Sequence, residues 1–214
     1  LARRFQCFKY LRECGYQLGT GVMIGIPGQT LEDLCRDIRL FQSLDVDMIG
    51  MGPYLKSEGA DLKELGQRAP KPLMQLALNI AVVRLVLGNV NIAAATALQA
   101  LRDDGRETGI EYGANVVMPN LSPQKFRPGY QLYDNKPCIN DEPTQCADCL
   151  EKRIASRGRK VGWFMMGSSR RFRERIGLTP RETVPEAAKK HDTTVLPAFT
   201  EDTGKRRIPI VARA

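Results

Sequence analysis

The sequence lacks any hydrophobic run long enough to cross a membrane. Its most apolar stretch, residues 73–88, is interrupted by Gln75, Asn79 and Arg84, whereas a transmembrane helix needs about 20 consecutive apolar residues. The chain also has a single histidine and no Gly-Lys-Ser/Thr phosphate loop. We therefore expect no membrane span, no histidine-rich metal site and no nucleoside triphosphate held by a phosphate-loop lysine.

The sequence also lacks an ordinary beginning. Its first residue is leucine rather than methionine, and no signal-type apolar core follows. A chain of 214 residues is long enough for one domain or one and a half. We expect a fragment made of a main unit over residues 1–120, a C-terminal cap over residues 121–177 and a linker or tail over residues 178–214. The tail is expected to be disordered because it is rich in Thr, Pro and charged residues.

The formal net charge of +8 is concentrated at one end of the chain. Residues 1–150 have a net charge of −1, and residues 151–214 have a net charge of +9. We expect this positive charge to belong to the linker rather than to the body of the protein. The arginines between residues 170 and 175 are compatible with nucleic-acid binding, but few aromatic residues are interleaved with them, so we expect no nucleic-acid partner.

Apolar runs alternate with helical patterns over the first 120 residues. The patterns predict strands over residues 17–26, 47–52, 91–96 and 114–119, and helices over residues 2–15, 30–44 and 73–87, with a short helix between residues 106 and 114 and a further helix over about residues 144–156. Continuous apolar strands of this kind are typical of a parallel sheet covered on both faces. Because three βα units and one further strand are fewer than a closed barrel needs, the fold class is predicted to be α/β, the C-terminal portion of a (β/α)8 TIM-type barrel.

Six cysteines fall into two groups. Cys7, Cys14 and Cys35 stand alone in helical patterns, where a cysteine is usually a small buried hydrophobe. The other three, Cys138, Cys146 and Cys149, form a C-x7-C-x2-C cluster. Three thiolates suit an iron–sulfur cluster with one iron ligated from elsewhere, or a zinc site that lacks its fourth ligand. A purely structural role is the remaining alternative.

Several side chains are expected to meet where the strands end. Met51, Thr96 and Met118 follow predicted strands at their C-terminal ends, which converge on one mouth in a βα barrel. The alternative is that the methionines only fill the core. Arg106 is placed to reach the same mouth, or else forms a solvated charge pair with Glu107.

Five strings taken together resemble one family. They are Gly21-Val-Met-Ile-Gly-Ile-Pro-Gly-Gln-Thr30, Asp47-Met-Ile-Gly-Met-Gly-Pro53, Gly113-Ala-Asn-Val-Val-Met-Pro-Asn120, Tyr130-Gln-Leu-Tyr133 and the C-x7-C-x2-C spacing. In this order they are similar to the biotin-synthase-like radical SAM enzymes, and within that group to the E-type maturases of FeFe-hydrogenase. The resemblance covers about residues 1–165.

The resemblance implies two kinds of cofactor. Family members reduce S-adenosyl-L-methionine (SAM) at a 4Fe-4S cluster and so generate a 5′-deoxyadenosyl radical. The C-x3-C-x2-C motif that holds this cluster is absent from the sequence, so the resemblance places it upstream and implies that the fragment alone is inactive. The three C-terminal cysteines resemble the ligands of a second, accessory iron–sulfur cluster.

The resemblance also implies residue roles. The residues implied to contact SAM are Ile24, Ile26, Pro27, Met51, Met118, Tyr130 and Tyr133. Thr96 and Arg106 are implied to contact the substrate. The sequence departs from the family at Ala95, where a second threonine is usual, which removes one polar contact.

The implied partners are other hydrogenase maturases and a small iron-bound cysteine-type substrate. In some algae this maturase is fused to a GTPase maturase, and the basic linker is compatible with such a fusion, although no Walker motif is present. The implied setting is a reducing, anaerobic compartment, without a choice between cytoplasm, plastid and hydrogenosome. The alternatives are another biotin-synthase-like radical SAM enzyme and a non-catalytic metal-binding module whose basic tail recruits an acidic partner.

Overall fold

The computed structural model describes residues 2–55, 72–130, 133, 136–138, 143–163, 165 and 167–178. The predicted disordered tail therefore lies outside the described residues, except for Leu178. Most of the polar loop predicted between residues 53 and 72 lies outside them too. Within the described part, no helix is both long enough and apolar enough to span a membrane.

The described residues form a mixed α/β fold. Three strands are present: β1 (Gly19–Ile24), β2 (Met48–Pro53) and β3 (Asn91–Ala94). The helices are α1 (Ala2–Glu13), α2 (Leu31–Ser43), α3 (Pro72–Leu87), α4 (Ala97–Leu101), α5 (Gly105–Glu111), α6 (Pro143–Ala155) and α7 (Arg170–Arg175), with a 3-10 helix at Gln124–Tyr130. The positions of the predicted helices and of the first three strands agree with these elements, whereas α4 and α7 were not predicted.

The three strands form a parallel sheet in the order β1-β2-β3, as predicted. Val22 pairs with Met51, which pairs in turn with Ala94. The fourth predicted strand is reduced to a single parallel bridge between Ala93 and Val116. The reason is local: the Asn115 side chain accepts the Ile92 amide hydrogen at 2.8 Å, where regular pairing would use a backbone carbonyl.

Only one face of the sheet is covered by helices in the part of the chain that the structure describes. Ile24, Ile49 and Met51 point toward the helices and are almost fully buried. Gly21 and Gly50 lie on the other face and are exposed, whereas Asn91 and Ala93 of β3, on that same face, are buried. The expectation of two covered faces is therefore wrong for β1 and β2.

Local signals explain why α2 forms where it does. Thr30 and Asp33 build a reciprocal capping box, in which the Thr30 hydroxyl accepts the Asp33 amide hydrogen at 3.2 Å and Asp33 accepts the Thr30 amide hydrogen at 2.9 Å. The Thr30 amide and then the Thr30 hydroxyl donate to the Asp33 carboxylate, and these two hydrogen bonds lower the pKa of Asp33. The apolar side chains of α2 then face the sheet, where Phe41 is fully buried.

The three isolated cysteines are exposed, contrary to expectation. Helix α1 touches the core only through half-buried side chains such as Phe8 and Leu11, so Cys7 and Cys14 lie on its solvent side. Cys35 follows the buried Leu34 but points away from the sheet. The helical pattern identified an apolar face without showing that the cysteines lie outside it.

The positive charge belongs to the folded body, which corrects the assignment to the linker. Residues 151–178 contain nine Lys and Arg against two Glu. Several of these arginines form ion pairs with the acidic body, including Arg171 with Asp45 at 2.9 Å and Arg157 with Glu111 at 2.9 Å. The positive charge of residues 151–178 therefore neutralises acidic side chains in the first 150 residues.

A fully buried aspartate ties the C-terminal end of the described chain to the sheet. Asp47 accepts the Leu18 amide hydrogen at 2.8 Å and contacts Arg12 at 3.1 Å. From α7, Arg175 binds the same carboxylate, and Ser169 lies 3.5 Å away. Asp47 thus joins α1, β1 and α7 at the N-terminal edge of the sheet.

Candidate functional site

A cavity of about 200 Å³ lies where the strands end. It brings together five residues that the sequence singled out: Thr96, Arg106, Met118, Cys138 and Cys146. Thr96 follows β3, and Met118 follows the bridge at Val116, so two neighbouring extended segments deliver residues to one place. This is the carboxyl edge of a parallel sheet, where α/β proteins usually bind ligands.

Arg106 is the most unusual residue of the cavity. Its exposed fraction is only 3%, yet no carboxylate pairs with it among the described residues. Its Nη2 donates to Gln99 Oε1 and lies 3.8 Å from Cys138 Sγ, while its Nε has no hydrogen-bond partner in the described part of the chain. A buried guanidinium with an unused donor favours an anionic group nearby.

The close packing of α4 against α5 explains the burial of Arg106. A Cβ atom at Gly105 would collide with the Leu98 carbonyl of α4. Only glycine therefore lets α5 begin at this distance from α4. The next residue, Arg106, is held between the two helices and reaches the cavity.

Cys138 is held in an unfavourable backbone conformation. Its φ is +62°, in the left-handed region that non-glycine residues seldom adopt. Two side chains hold its carbonyl oxygen: Arg127 Nη1 donates at 2.8 Å and Asn120 Nδ2 donates at 3.3 Å. Such strain persists only where surrounding contacts enforce it, and it is common at functional sites.

The other two cysteines have different environments. Cys146 is buried, and its Sγ accepts the Asn120 amide hydrogen at 3.3 Å. Cys149, one turn later on α6, is exposed and lies beside Arg153. Among the described residues, no three His, Cys, Asp or Glu side chains are arranged to hold a metal ion. The residues therefore fit a metal centre only in part: two thiols share the cavity, and the third lies outside it.

Ion pairs fasten the cysteine-bearing helix α6 to α5. Glu107 is nearly fully buried and binds Arg153 of α6, with Oε1 2.6 Å from Nε. Burial works against the charge of Arg153, but the hydrogen bond and charge of Glu107 outweigh it and raise the arginine's pKa. The alternative of a solvated pair between Arg106 and Glu107 is wrong, because both side chains are buried and each contacts a different partner.

The two tyrosines are placed differently. Tyr133 is half-buried, and burial raises its pKa, an effect that Arg106 opposes and Cys138 reinforces. Its hydroxyl therefore stays protonated at neutral pH and can donate a hydrogen bond beside the cavity. Tyr130 is exposed, and its carbonyl oxygen accepts from Lys136 Nζ at 2.6 Å.

Six of the seven residues implied to bind SAM do not line the cavity: the two tyrosines and four residues of the first two strands and the turn before α2. Ile24 and Met51 are buried on the helix-covered face, where Asn79 Nδ2 of α3 lies 3.2 Å from Met51 Sδ. Their side chains therefore pack the core, as the alternative for Met51 proposed. Ile26 and Pro27 are half-buried in the turn before α2.

Sequence reasoning missed three polar residues of the site. Lys136 and Asn120 line the cavity, and Arg127 is buried behind it. The signal for Lys136 was its place two residues before Cys138. Asn120 and Arg127 act through backbone groups, which no sequence motif reveals.

The chain is similar to known proteins in both sequence and structure. No family model matches the chain. The chain is 38% identical over 170 residues to the [FeFe] hydrogenase maturase subunit HydE of Thermotoga maritima, covering 79% of this chain and 48% of that protein. It is 28% identical over 131 residues to 3-methylornithine synthase of Methanosarcina acetivorans, covering 61% of this chain and 36% of that protein.

The fold has a solved counterpart. A crystal structure of methylornithine synthase (PylB) superposes with a TM-score of 0.57 and 25% identity, over 73% of this chain and 44% of the other. The chain spans about half the length of the curated relatives it matches, or less. The resemblance found in the sequence is confirmed: by this homology, the chain belongs to the radical SAM proteins of the biotin-synthase-like group.

Proposed function

We propose that this chain is part of an enzyme that matures the active-site cluster of FeFe-hydrogenase and uses SAM as the source of a 5′-deoxyadenosyl radical. The 38% identity to HydE carries the proposal. The 4Fe-4S ligands would lie in the part of the relatives that this chain does not span. The proposed partners are other hydrogenase maturases, including a fused GTPase maturase.

In this proposal, the described strands are part of a (β/α)8 barrel. The parallel order of the strands and the exposed face at Gly21 and Gly50 support it, because a barrel turns one face of its sheet inward. The remaining strands would close the barrel over that face. SAM would lie there, beside Met118, Tyr130 and Tyr133.

The cavity at Arg106 would hold an anionic group of a small iron-bound cysteine-type substrate. Its volume of about 200 Å³ is smaller than the roughly 300–1,000 Å³ of pockets for whole cofactors and drug-sized ligands. Among the described residues, the lining contains two cations, Arg106 and Lys136, and no carboxylate. Thr96 supplies a hydroxyl at the same place.

The three C-terminal cysteines would hold the second iron–sulfur cluster. Two of them line one cavity with two cations, which suits an anionic cluster. Arg153 places a further positive charge beside Cys149. A rotation of the exposed Cys149 side chain, one turn from Cys146, would be needed to complete the set.

The cysteine assignment predicts a spectroscopic result. Full-length protein reconstituted anaerobically with iron and sulfide should contain more iron than the variant in which Cys138, Cys146 and Cys149 are all serine, and should show a chromophore component that this variant loses. A matched variant with Cys7, Cys14 and Cys35 changed to serine should keep the component, since these residues are exposed and solitary. Equal iron content and identical spectra in the two variants would refute the second cluster.

The proposed function is tested with the full-length protein in two assays. With SAM and dithionite, the reconstituted protein should release 5′-deoxyadenosine. In a hydrogenase-producing strain that lacks its own E-type maturase, expression of the protein should restore hydrogen evolution.

The alternatives give different results in the same assays. Formation of 3-methylornithine without restored hydrogen evolution would favour the activity named for the second relative. SAM cleavage with neither result would indicate another biotin-synthase-like radical SAM enzyme. Absence of SAM cleavage in protein that has taken up iron would indicate a non-catalytic metal-binding module.

A further inference from the structure

A second and larger cleft lies at the opposite edge of the sheet. It has a volume of about 850 Å³ and begins at Asn91 and Asn115, where β3 and the bridged segment start. The end of α3, the end of α5 and residues within 158–160 and 167–173 form its walls. The candidate site described above lies at the other ends of the same strands, so the two are separate.

The cleft is strongly basic. The described residues that line it include five cations and one acid, Glu111. Glu111 is already paired with Arg157, at 2.9 Å. The lining cations are Arg84, Arg159, Lys160, Arg170 and Arg173.

Two of these cations have structural roles. Arg84 donates to the Gly113 carbonyl at 2.9 Å and to Asn115 at 3.0 Å, which fixes the turn after α5. Arg170 pairs with Glu174 of its own helix at 2.7 Å. Neither needs a ligand to explain its position.

The other three cations have no such explanation. The side chains of Arg159, Lys160 and Arg173 make no hydrogen bond or ion pair with the residues that the structure describes. The Nε atom of Arg173 is also buried, and it finds no acceptor within the described ranges. A buried donor without an acceptor is unfavourable, and an anion bound by the Arg173 guanidinium would supply an acceptor.

The remaining walls indicate what kind of anion fits. Guanidinium groups bind phosphate oxygens in a bidentate manner, and two are available beside one lysine. Leu85, which is largely exposed, and Tyr112 add an apolar wall across the cleft. A volume of about 850 Å³ is in the range of small-molecule sites.

We propose that this cleft binds a nucleotide-sized phosphate ester, with the phosphates at Arg159, Lys160 and Arg173 and the apolar ring system against Tyr112 and Leu85. The site is independent of the proposed maturase activity because it uses the opposite edge of the sheet. It adds a ligand site formed in part by residues within 158–160 and 167–173.

The test uses the full-length protein and two probes, ATP and inorganic pyrophosphate, titrated calorimetrically at about 150 mM salt. ATP should bind at least about 10-fold more tightly than pyrophosphate, because only ATP has a ring system that can contact the apolar wall. The variant R159Q/K160Q/R173Q should bind ATP at least about 30-fold more weakly. These factors correspond to about 1.4 and 2 kcal/mol.

A charge-matched control separates a built site from general electrostatics. The variant R3Q/R4Q/R39Q removes the same three charges from exposed positions outside the cleft, and it should bind ATP within about 3-fold of the wild type. Equal weakening in both variants, equal affinity for ATP and pyrophosphate, or no ATP binding by the folded wild type would each overturn the proposal. Release of 5′-deoxyadenosine, measured on the same samples, reports separately on the proposed function.

Discussion

Replacement of Arg106 by methionine is expected to raise the KM for the substrate about 100-fold, with a much smaller change in kcat. Methionine has nearly the length of the arginine stem and fills the space between α4 and α5, but it carries no charge. A buried, charge-assisted hydrogen bond contributes about 1.5–3 kcal/mol, and each 1.4 kcal/mol corresponds to a factor of ten. Because the group is proposed to bind substrate rather than to react, the loss should appear mainly in KM.

The neighbouring arginine offers the control for this variant. Arg102 lies in the turn that leads to α5, and its side chain is about half exposed and pairs with Asp104. Arg102→Met should leave KM within about 3-fold of the wild type. Arg106→Lys, which keeps the charge, should recover part of the loss, and the background release of 5′-deoxyadenosine without substrate should be unchanged in all three variants.

Two results would contradict this role for Arg106. An unchanged KM in folded Arg106→Met would show that the cavity holds no substrate anion. A KM for Arg106→Lys equal to that of Arg106→Met would show that packing rather than charge explains the effect. Thermal unfolding of each variant identifies any that fail to fold.

Local features of the fold were predictable from sequence, because their causes are local. The capping box at Thr30 and Asp33 and the apolar face of α2 depend only on neighbouring residues. The predicted bounds of that helix, residues 30–44, are accordingly close to the observed ones, Leu31–Ser43. The bridge at Val116 was not predictable as a single pair, since it depends on a side-chain contact between Asn115 and Ile92.

The candidate site, too, was predictable from the sequence only in part. The family resemblance identified five residues that line the cavity. It also named Ile24 and Met51, whose side chains are buried on the helix-covered face. The alternation along a strand separates two sets of residues, but it does not say which set faces a pocket. The burial of Arg106 likewise depends on how α4 meets α5, which only the tertiary structure shows.

Replacement of Asp47 by alanine is expected to lower the free energy of unfolding by about 3 kcal/mol. The change leaves the Leu18 amide without its acceptor and removes the partner of Arg12 and Arg175. Breaking a buried ion pair costs roughly 3–5 kcal/mol, and the low end applies because both arginines are about one quarter exposed and regain water. Urea denaturation of the full-length protein measures the loss, and limited trypsin digestion should show earlier cleavage within α7.

Asp45 provides the matched control. It lies two residues away and pairs with Arg171 at 2.9 Å, but its side chain is about half exposed. Exposed ion pairs contribute about 0–1 kcal/mol, so Asp45→Asn, which removes the charge and tolerates the positive φ of +50° at this position, should change the stability by less than about 1 kcal/mol. Equal losses in the two variants would show that general charge balance, rather than the buried contact, holds α7 in place.

An asparagine at position 47 separates the hydrogen bonds from the charge. Burial raises the pKa of Asp47, while the Leu18 amide and Arg12 work against this rise. A raised pKa means that the folded protein binds the proton more readily than the unfolded chain, so the stability from this group is present below the unfolded pKa and is lost as the pH rises through the folded pKa.

The ionised carboxylate is therefore costly to bury at pH 7. Asp47→Asn, which keeps an acceptor for the Leu18 amide, should lose less than half of the stability that Asp47→Ala loses. Acidification from pH 7 toward pH 4 should then favour the wild type relative to Asp47→Asn, and the opposite trend in their urea midpoints would show that the ion pairs dominate.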